Sequence, residues 1–255
     1  MKPKALVLQA HGSNRDRDVI EALTLAGADP EGIPLNELRS HKTRFSDFQL
    51  LVLPGGFSYA DAFGAGKLLA LDLASYFADE ISAFVDAGKP VIGICNGFQA
   101  LMKSSILPGN SEGATLTFNT QGHFECRWVT LQPVSQTCVW TKGLDELIEC
   151  PIAHGEGNFQ TGEGFPLSTF ASHDQIAFIY VCADGTPANG EYPVNPNGSV
   201  FDTAGICNPQ GNVLGLMPHP ENHIHPYQHP QWTRGIDRHS GLALFKNGVE
   251  YASQI

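Results

Sequence analysis

The chain has 255 residues, of which 42% are hydrophobic, so it is long enough to bury a full core, and we expect one domain over residues 1–255. Its 15 basic and 26 acidic residues give a net charge of −11. This balance argues against nucleic acid and anionic membranes as partners, because both attract basic patches. No stretch approaches the roughly 20 apolar residues of a membrane span, and the first apolar run is too short for a signal peptide. We therefore expect a soluble, cytoplasmic protein.

Apolar, strand-like runs alternate with helical patterns through the first half of the chain. The patterns predict strands at 4–9, 49–53 and 90–94, and helices at 17–26, 68–87 and 97–103. Apolar strands separated by helices indicate an α/β fold, with a central, mostly parallel sheet and helices on both faces. In such sheets the ligand site lies at the carboxyl ends of the strands.

The second half of the chain has a different pattern. Residues 115–131 alternate and are rich in aromatic and β-branched side chains, and further strands are predicted at 176–182 and 213–217. Residues 184–199 are rich in Gly, Pro and Asn, which predicts a surface loop. No linker, internal repeat or low-complexity tract divides the chain.

Six cysteines are spread along the chain, and no two of them form a C-x-x-C pair, which argues against zinc ribbons and thioredoxin-like redox motifs. An even count allows disulfides, but the size of the chain and the missing signal favour buried free thiols. The positions are Cys95, Cys126, Cys138, Cys150, Cys182 and Cys207.

One of these cysteines, Cys95, lies in the stretch GICNG at 93–97, between a predicted strand and a predicted helix. The form G-x-C-x-G is the cysteine version of the nucleophile elbow, a strained strand-to-helix turn that presents its central side chain above the sheet edge. The helix that begins there stabilises a thiolate through its partial positive end. The alternative is a buried cysteine in a tight turn.

A nucleophile needs a base, and the best-placed histidine is His219, in the stretch GLMPHPE after a predicted strand. Prolines on both sides favour extended backbone, in which residues two apart point to the same side. His219 and Glu221 can therefore pair, with the carboxylate orienting the imidazole. The alternative is a proline-stiffened surface turn.

A third stretch, PGGFSY at 54–59, follows the strand predicted at 49–53. A Gly-Gly turn at a strand end leaves backbone N–H groups free, and one of them, with the Asn96 N–H, would form an oxyanion hole. The chain contains neither G-x-x-x-x-G-K-[ST] nor G-x-G-x-x-G, so we expect no nucleotide site in it.

Six stretches together resemble the class I (triad) glutamine amidotransferases, and within that class the glutaminase subunits that serve de novo purine synthesis. They are GSN at 12–14 with DRD at 16–18, LPGGFSYAD, GICNGFQALM, PIAHGEGNF, NPNGSV and GNVLGLMPHPE. They run in family order from near the N-terminus to residue 221. The resemblance implies the single-domain, flavodoxin-like fold of that class.

The resemblance also implies a glutaminase mechanism. Cys95 would attack the side-chain amide of glutamine, and His219, oriented by Glu221, would shuttle protons. A glutamyl thioester would form, ammonia would leave, and water would release glutamate. The family's oxyanion and glutamine-binding positions fall on four residues here: Gly56, Phe57, Asn96 and Gln99.

Cofactors and partners are implied by the same resemblance. The chain itself would hold no cofactor and no metal, while ATP and magnesium would act in a synthetase subunit that receives the ammonia. A small accessory subunit of the same complex is a further partner to consider. Three other hypotheses remain: a glutaminase subunit of another amidotransferase, a non-catalytic regulatory protein on this fold, and an independent hydrolase or stress protein with a cysteine elbow.

The chain departs from the family pattern at Arg15, where Cys is common, and at Ala60, where Gly is common. After Glu221 it continues differently from many members, so we expect residues 222–255 to include a variable C-terminal extension. Four histidines lie close together here, His219, His223, His225 and His229, and imidazole is a common zinc ligand. Prolines interrupt this run, and we expect an ordered surface loop, with a metal site as the alternative.

Overall fold

The computed structural model of the chain describes residues 2–109, 113–162, 167–235 and 239–255, so residues 236–238 of the expected C-terminal extension lie outside the described part. The strands are β1 Lys4–Gln9, β2 Asp29–Pro34, β3 Leu50–Leu53, β4 Val91–Ile94, β5 Ala114–Thr117, β6 Glu125–Pro133, β7 Ile148–His154, β8 Asn158–Thr161, β9 Ile176–Val181, β10 Thr203–Cys207 and β11 Val213–Leu216. The helices are α1 Asp16–Ala26, α2 Leu35–Arg39, α3 Lys67–Tyr76, α4 Ala78–Asp86, α5 Asn96–Lys103, α6 Leu167–Ser172 and α7 Leu242–Ala252.

Nine strands of the described ranges form one sheet in the order β2-β1-β3-β4-β11-β10-β9-β6-β7, and β5 and β8 form a separate antiparallel pair. The strands from β2 to β11 are parallel neighbours, whereas those from β11 to β7 pair antiparallel. The predicted α/β fold with a central, mostly parallel sheet is confirmed. The antiparallel strands come from the second half of the chain, where the sequence pattern changes.

Helices cover both faces of the parallel region because its connections run in opposite directions. The β1-α1-β2 unit steps outward from β1, while the β3-α3-α4-β4 unit steps the other way along the sheet. Since such crossovers are right-handed, the two units place their helices on opposite faces. Helix α1 packs against α7, and α3 packs against α5. Strands β3 and β4 are consequently buried along their whole length, which explains their continuous apolar sequence.

The prediction of a single helix at 68–87 is wrong, because the structure has two helices, α3 and α4, on either side of Phe77. The backbone of Phe77 leaves the helical region, with φ −132°, although no Gly or Pro marks the break. The Phe77 side chain is buried and its ring lies 5.5 Å from the ring of Phe45. The redirected α4 then buries Ile81 and Phe84. We attribute the break to this packing, which outweighs helix propensity.

Other expectations change in the second half of the chain. Residues 115–131 form two strands in different sheets, β5 and β6, rather than one alternating unit. The surface loop predicted at 184–199 is irregular but only partly exposed, because Asn195 and Asn197 are buried. The Asn197 amide donates hydrogen bonds to the Gly157 carbonyl and the Tyr180 hydroxyl, so this loop is held from inside. Strand β2, with the sequence DPEGIP, has no apolar pattern and lies at the sheet edge, where prolines are tolerated.

All six cysteines are free. The expected burial holds for four of them, whereas Cys126 is exposed and Cys182 is half-buried. No helix in the described ranges is long and apolar enough to cross a membrane.

Candidate active site

Cys95 lies at the turn between β4 and α5 in a strained conformation, with φ 50° and ψ −106°. Such a conformation is costly for a non-glycine residue and is concentrated at functional sites. The turn requires glycine at position 97, where a Cβ atom would lie 2.0 Å from the carbonyl oxygen of Leu53. Cys95 is 4% exposed, and its Sγ lies 3.7 Å from the carbonyl oxygen of Ala153. The sequence GICNG therefore forms the strand-to-helix elbow that its pattern predicts.

His219 and Glu221 are brought together beside this elbow. The His219 Nδ1 atom lies 2.6 Å from Glu221 Oε1, and both side chains are buried. The backbone conformation predicted from the sequence is wrong, however, because Pro220–Asn222 form a 3₁₀ turn rather than an extended segment. Proline at the start of that turn fits its preferred φ, and the turn still directs the carboxylate to the imidazole.

The protonation of His219 follows from its neighbours. Burial by itself lowers the pKa of His219, but the charges of Glu221 and Cys95 and the hydrogen bonds to both side chains outweigh it, raising the pKa to about 10. The imidazole therefore carries a proton at neutral pH. Its contact with both the Cys95 and Glu221 side chains makes Cys95, His219 and Glu221 one continuous array.

A second buried thiol lies near this array without sharing its chemistry. Burial raises the pKa of Cys150 well above its ordinary value, and the charge of Glu221 adds to the effect. Cys150 therefore stays a thiol, which is not nucleophilic. Cys95 is thus distinguished from Cys150 by its position at the elbow and not by its proximity to His219.

The backbone donors expected for an oxyanion hole are available at two positions. Within the described part of the chain, the N–H groups of Gly56 and Asn96 donate to no other atom. The N–H of Phe57 is different, since it donates to the Gly12 carbonyl at 3.0 Å. Phe57 therefore contributes a wall of the site with its half-exposed ring, and not an oxyanion donor.

Gln99 is buried at the first turn of α5, and its amide is already bonded within the protein. Its Nε2 donates to the carbonyl oxygen of Glu156 at 2.6 Å, and its Oε1 accepts from the Asn96 side chain at 3.1 Å. The side chain thus fixes the loop around Glu156 against the elbow.

A cavity of about 160 Å³ opens beside Cys95. Of the residues that the sequence singled out, Cys95, Gly56, Phe57 and Gln99 line it. Its full lining is Gly56, Phe57, Asp61, Ala65, Cys95, Gln99, Phe118, Phe124, Ala153, His154, Gly155 and Glu156. The cavity therefore joins the PGGFSYAD, GICNGFQ and AHGEG stretches, which lie far apart in the sequence.

His154 is a site residue whose role the sequence left unassigned. The Asn119 side-chain Nδ2 donates to two carbonyl groups, so its Oδ1 accepts from His154 Nδ1, 3.2 Å away. The opposite ring nitrogen, Nε2, has no partner in the described part of the chain. Burial, followed by the charge of His219, lowers the pKa of His154 to about 3. His154 is therefore a neutral imidazole with a free acceptor nitrogen.

The histidines after Glu221 pack into the protein rather than form a surface loop throughout. His223 and His229 are buried on the ring of Trp128, at centroid distances of 5.2 and 4.9 Å. The His229 Nε2 atom lies 3.1 Å from a carboxylate oxygen of Glu149. Of the histidines at 219–229, only His225 is partly exposed, and its Nε2 lies 2.8 Å from a carboxylate oxygen of Glu21. Within the described residues, no group of three or more metal-ligating side chains is assembled.

The model of the CobB/CobQ-like glutamine amidotransferase domain matches residues 2–252, and the chain belongs to that family. Among curated relatives, the phosphoribosylformylglycinamidine synthase subunit PurQ of Treponema denticola is 56% identical, covering 98% of this chain and 99% of the relative. The PurQ subunit of Dehalococcoides mccartyi is 41% identical over 100% of this chain and 99% of the relative. A chain of the solved structure of PurLQS from Thermotoga maritima matches with a TM-score of 0.75 and 32% identity, over 98% of this chain and 99% of that chain. The resemblance found in the sequence is confirmed.

Proposed function

We propose that this chain is the glutaminase subunit of a phosphoribosylformylglycinamidine synthase. It hydrolyses glutamine to glutamate and ammonia, and passes the ammonia to a synthetase subunit that converts formylglycinamide ribonucleotide to formylglycinamidine ribonucleotide with ATP, in de novo purine synthesis. The observation that carries the proposal is the continuous array of Cys95, His219 and Glu221 at the sheet edge, in a chain whose full-length relatives are PurQ subunits.

The site supports the following sequence of steps. The Cys95 thiolate attacks the amide carbon of the glutamine side chain, and the oxygen that becomes negative is bound by the N–H groups of Gly56 and Asn96. The protonated His219 gives its proton to the departing nitrogen, the C–N bond breaks, and ammonia leaves a glutamyl thioester. His219, now neutral, takes a proton from water as the water oxygen attacks the thioester. The C–S bond then breaks, which returns the thiolate, the imidazolium and glutamate.

Glu221 has a supporting role in this scheme. Its carboxylate accepts a hydrogen bond from His219 Nδ1–H at 2.6 Å, which directs Nε2 toward the substrate side and stabilises the charged imidazole. Gln99 and Phe57 act as walls of the glutamine pocket.

The synthetase partner completes the reaction. We propose that it supplies the ATP and magnesium site, since the sequence of this chain contains no phosphate-binding loop, and that a small accessory subunit joins the same complex in the cytoplasm. The name PurLQS of the matching solved structure supports an assembly of this kind.

The test uses Cys95→Ala in the reconstituted complex, assayed with glutamine and with ammonia as nitrogen donors. We expect glutamine-dependent synthesis to disappear and ammonia-dependent synthesis to remain, because added ammonia needs no thiolate. The matched control is Cys126→Ala, an exposed cysteine, which should leave both activities unchanged. Loss of both activities in Cys95→Ala would mean that Cys95 shapes the fold or the interface instead.

A further inference from the structure

The catalytic array acts on the side-chain amide of the substrate, but free glutamine also carries an α-ammonium group. A charged amine that leaves water needs an anionic partner in the site. Two carboxylates line the cavity beside Cys95, those of Asp61 and Glu156. Their surroundings differ enough to separate their roles.

The carboxylate of Glu156 is already paired with a cation of the protein. One oxygen lies 3.2 Å from the ammonium of Lys103, and the other accepts the N–H of Ala65 at 3.2 Å. Lys103 is held in place by a further bond to the carbonyl oxygen of Ala65. Glu156 and Lys103 therefore form a structural bridge between α5 and the loop after β7.

Asp61 has no such cation. Its Oδ1 accepts from the Asn96 side chain at 2.9 Å and from the N–H of Gly66 at 3.4 Å, and it takes part in no ion pair in the described part of the chain. Half-burial raises the pKa of Asp61 above its ordinary value, although the hydrogen bonds from Gly66 and Asn96 and the charge of Lys103 act in the opposite direction. A cation bound to the second oxygen would remove this penalty.

The backbone holds Asp61 firmly against the residue that follows the nucleophile. Tyr59, Ala60 and Asp61 are all left-handed, with φ of 54°, 55° and 51°, a conformation that costs non-glycine residues free energy and is found at ligand sites. The Asn96 side chain bridges this segment, since its Oδ1 accepts the N–H of Ser58 and its Nδ2 donates to Asp61. The Asp61 carboxylate is thereby fixed at the wall of the cavity that Cys95 opens into.

We propose that the Asp61 carboxylate binds the α-ammonium of glutamine and so selects the free amino acid over amides that lack an α-amine. This inference rests on the proposed glutaminase function. Asp61 touches the substrate far from the reacting bond, so it governs binding more than the chemical step.

The test measures two substrates, glutamine and 4-carbamoylbutanoate, which is glutamine without its α-amine. Each is assayed with the reconstituted complex that contains either the wild-type chain or Asp61→Asn. Asparagine keeps the Oδ1 acceptor for Asn96 and removes only the charge. We expect kcat/KM for glutamine to fall about 10- to 100-fold, mostly through KM, as for loss of one charged hydrogen bond. For 4-carbamoylbutanoate we expect a change of less than about threefold, so that the preference of the wild type for glutamine is largely lost.

The matched control is Asp72→Asn, because Asp72 accepts a hydrogen bond from Tyr59 in the same region but does not line the cavity. Its glutamine preference should equal that of wild type. Equal losses on both substrates in Asp61→Asn would overturn the proposal and make Asp61 a structural brace, and an unchanged preference would overturn it as well. Failure of the proposed function is seen separately, as a wild-type complex that releases no glutamate from glutamine, and that result would overturn both.

Discussion

The two buried histidines beside Cys95 have opposite protonation. His219 belongs to the 219–221 turn and His154 to the 154–157 segment at the end of β7, and their exposed fractions are 3% and 2%. Yet the pKa of His219 is raised to about 10, and that of His154 is lowered to about 3. Equal burial therefore does not explain the difference.

The partner of Nδ1 explains it. In the 219–221 turn the partner is a carboxylate, Glu221, at 2.6 Å, and in the 154–157 segment it is an uncharged amide, Asn119, at 3.2 Å. Burial penalises the charged imidazole in both places, and only an adjacent negative charge outweighs it. Once His219 is charged, its field further disfavours a proton on His154. One histidine can thus move protons, while the other stays neutral, with its Nδ1–H donating to Asn119 and its Nε2 free to accept a hydrogen bond.

Substitutions in the 219–221 turn should affect catalysis most strongly. We expect His219→Ala to reduce glutamine hydrolysis on the order of 10⁴- to 10⁶-fold, and Glu221→Gln to cost at least about tenfold less, because an orienting carboxylate contributes less than the proton shuttle. Glutamate release by the complex measures both, with ammonia-dependent synthesis as the control that should stay constant. A greater loss in Glu221→Gln would show that the carboxylate takes part in the chemistry directly.

A smaller effect is expected in the 154–157 segment. A Cβ atom at Gly157 would lie 2.3 Å from Cε1 of the His154 ring, whereas one at Gly155 would meet nothing closer than 3.9 Å. Gly157→Ala should therefore lower the free energy of unfolding by about 2–3 kcal/mol, and the control Gly155→Ala by less than about 0.5 kcal/mol. Urea unfolding measures both. Equal stability of the two variants would mean that the His154 ring does not lie against Gly157.

The smallest effect is the dependence of stability on pH. The folded pKa of His154, about 3, lies below its ordinary value of 6.5, so its contribution to stability is fully present above pH 6.5 and is lost as the pH falls toward 3. One proton corresponds to a slope of about 1.4 kcal/mol per pH unit. Between pH 6.5 and 5.5 we therefore expect wild type to lose about 1 kcal/mol more unfolding free energy than His154→Gln.

The same unfolding measurements also test the charge of His219, on the alkaline side of the pH profile. The folded pKa of His219 is raised, so its contribution is present below pH 6.5 and is lost as the pH rises toward 10. His219→Gln should then flatten the alkaline side of the profile. Identical slopes for wild type and His154→Gln on the acid side would contradict a neutral His154 in the folded protein.

Local sequence patterns were sufficient for the parts of the site that lie within one short segment. The stretch GICNG predicts an elbow because its glycines are needed for the turn around Cys95, and the strands predicted at 4–9, 49–53 and 90–94 follow from their apolar runs. The pairing of His219 with Glu221 also depends on only two positions along the chain, although the turn that achieves it differs from the extended segment expected.

Other features depend on contacts between segments that are distant in the sequence. The ring of His154 donates its Nδ1–H to Asn119, 35 residues away, and the Gln99 amide reaches the Glu156 loop across 57 residues. The break at Phe77 follows from packing on Phe45, and no residue of the helix signals it. Periodicity reports only which face of a segment is apolar. The charge of a buried group depends instead on which partner the fold places beside it, and that is decided by the tertiary structure.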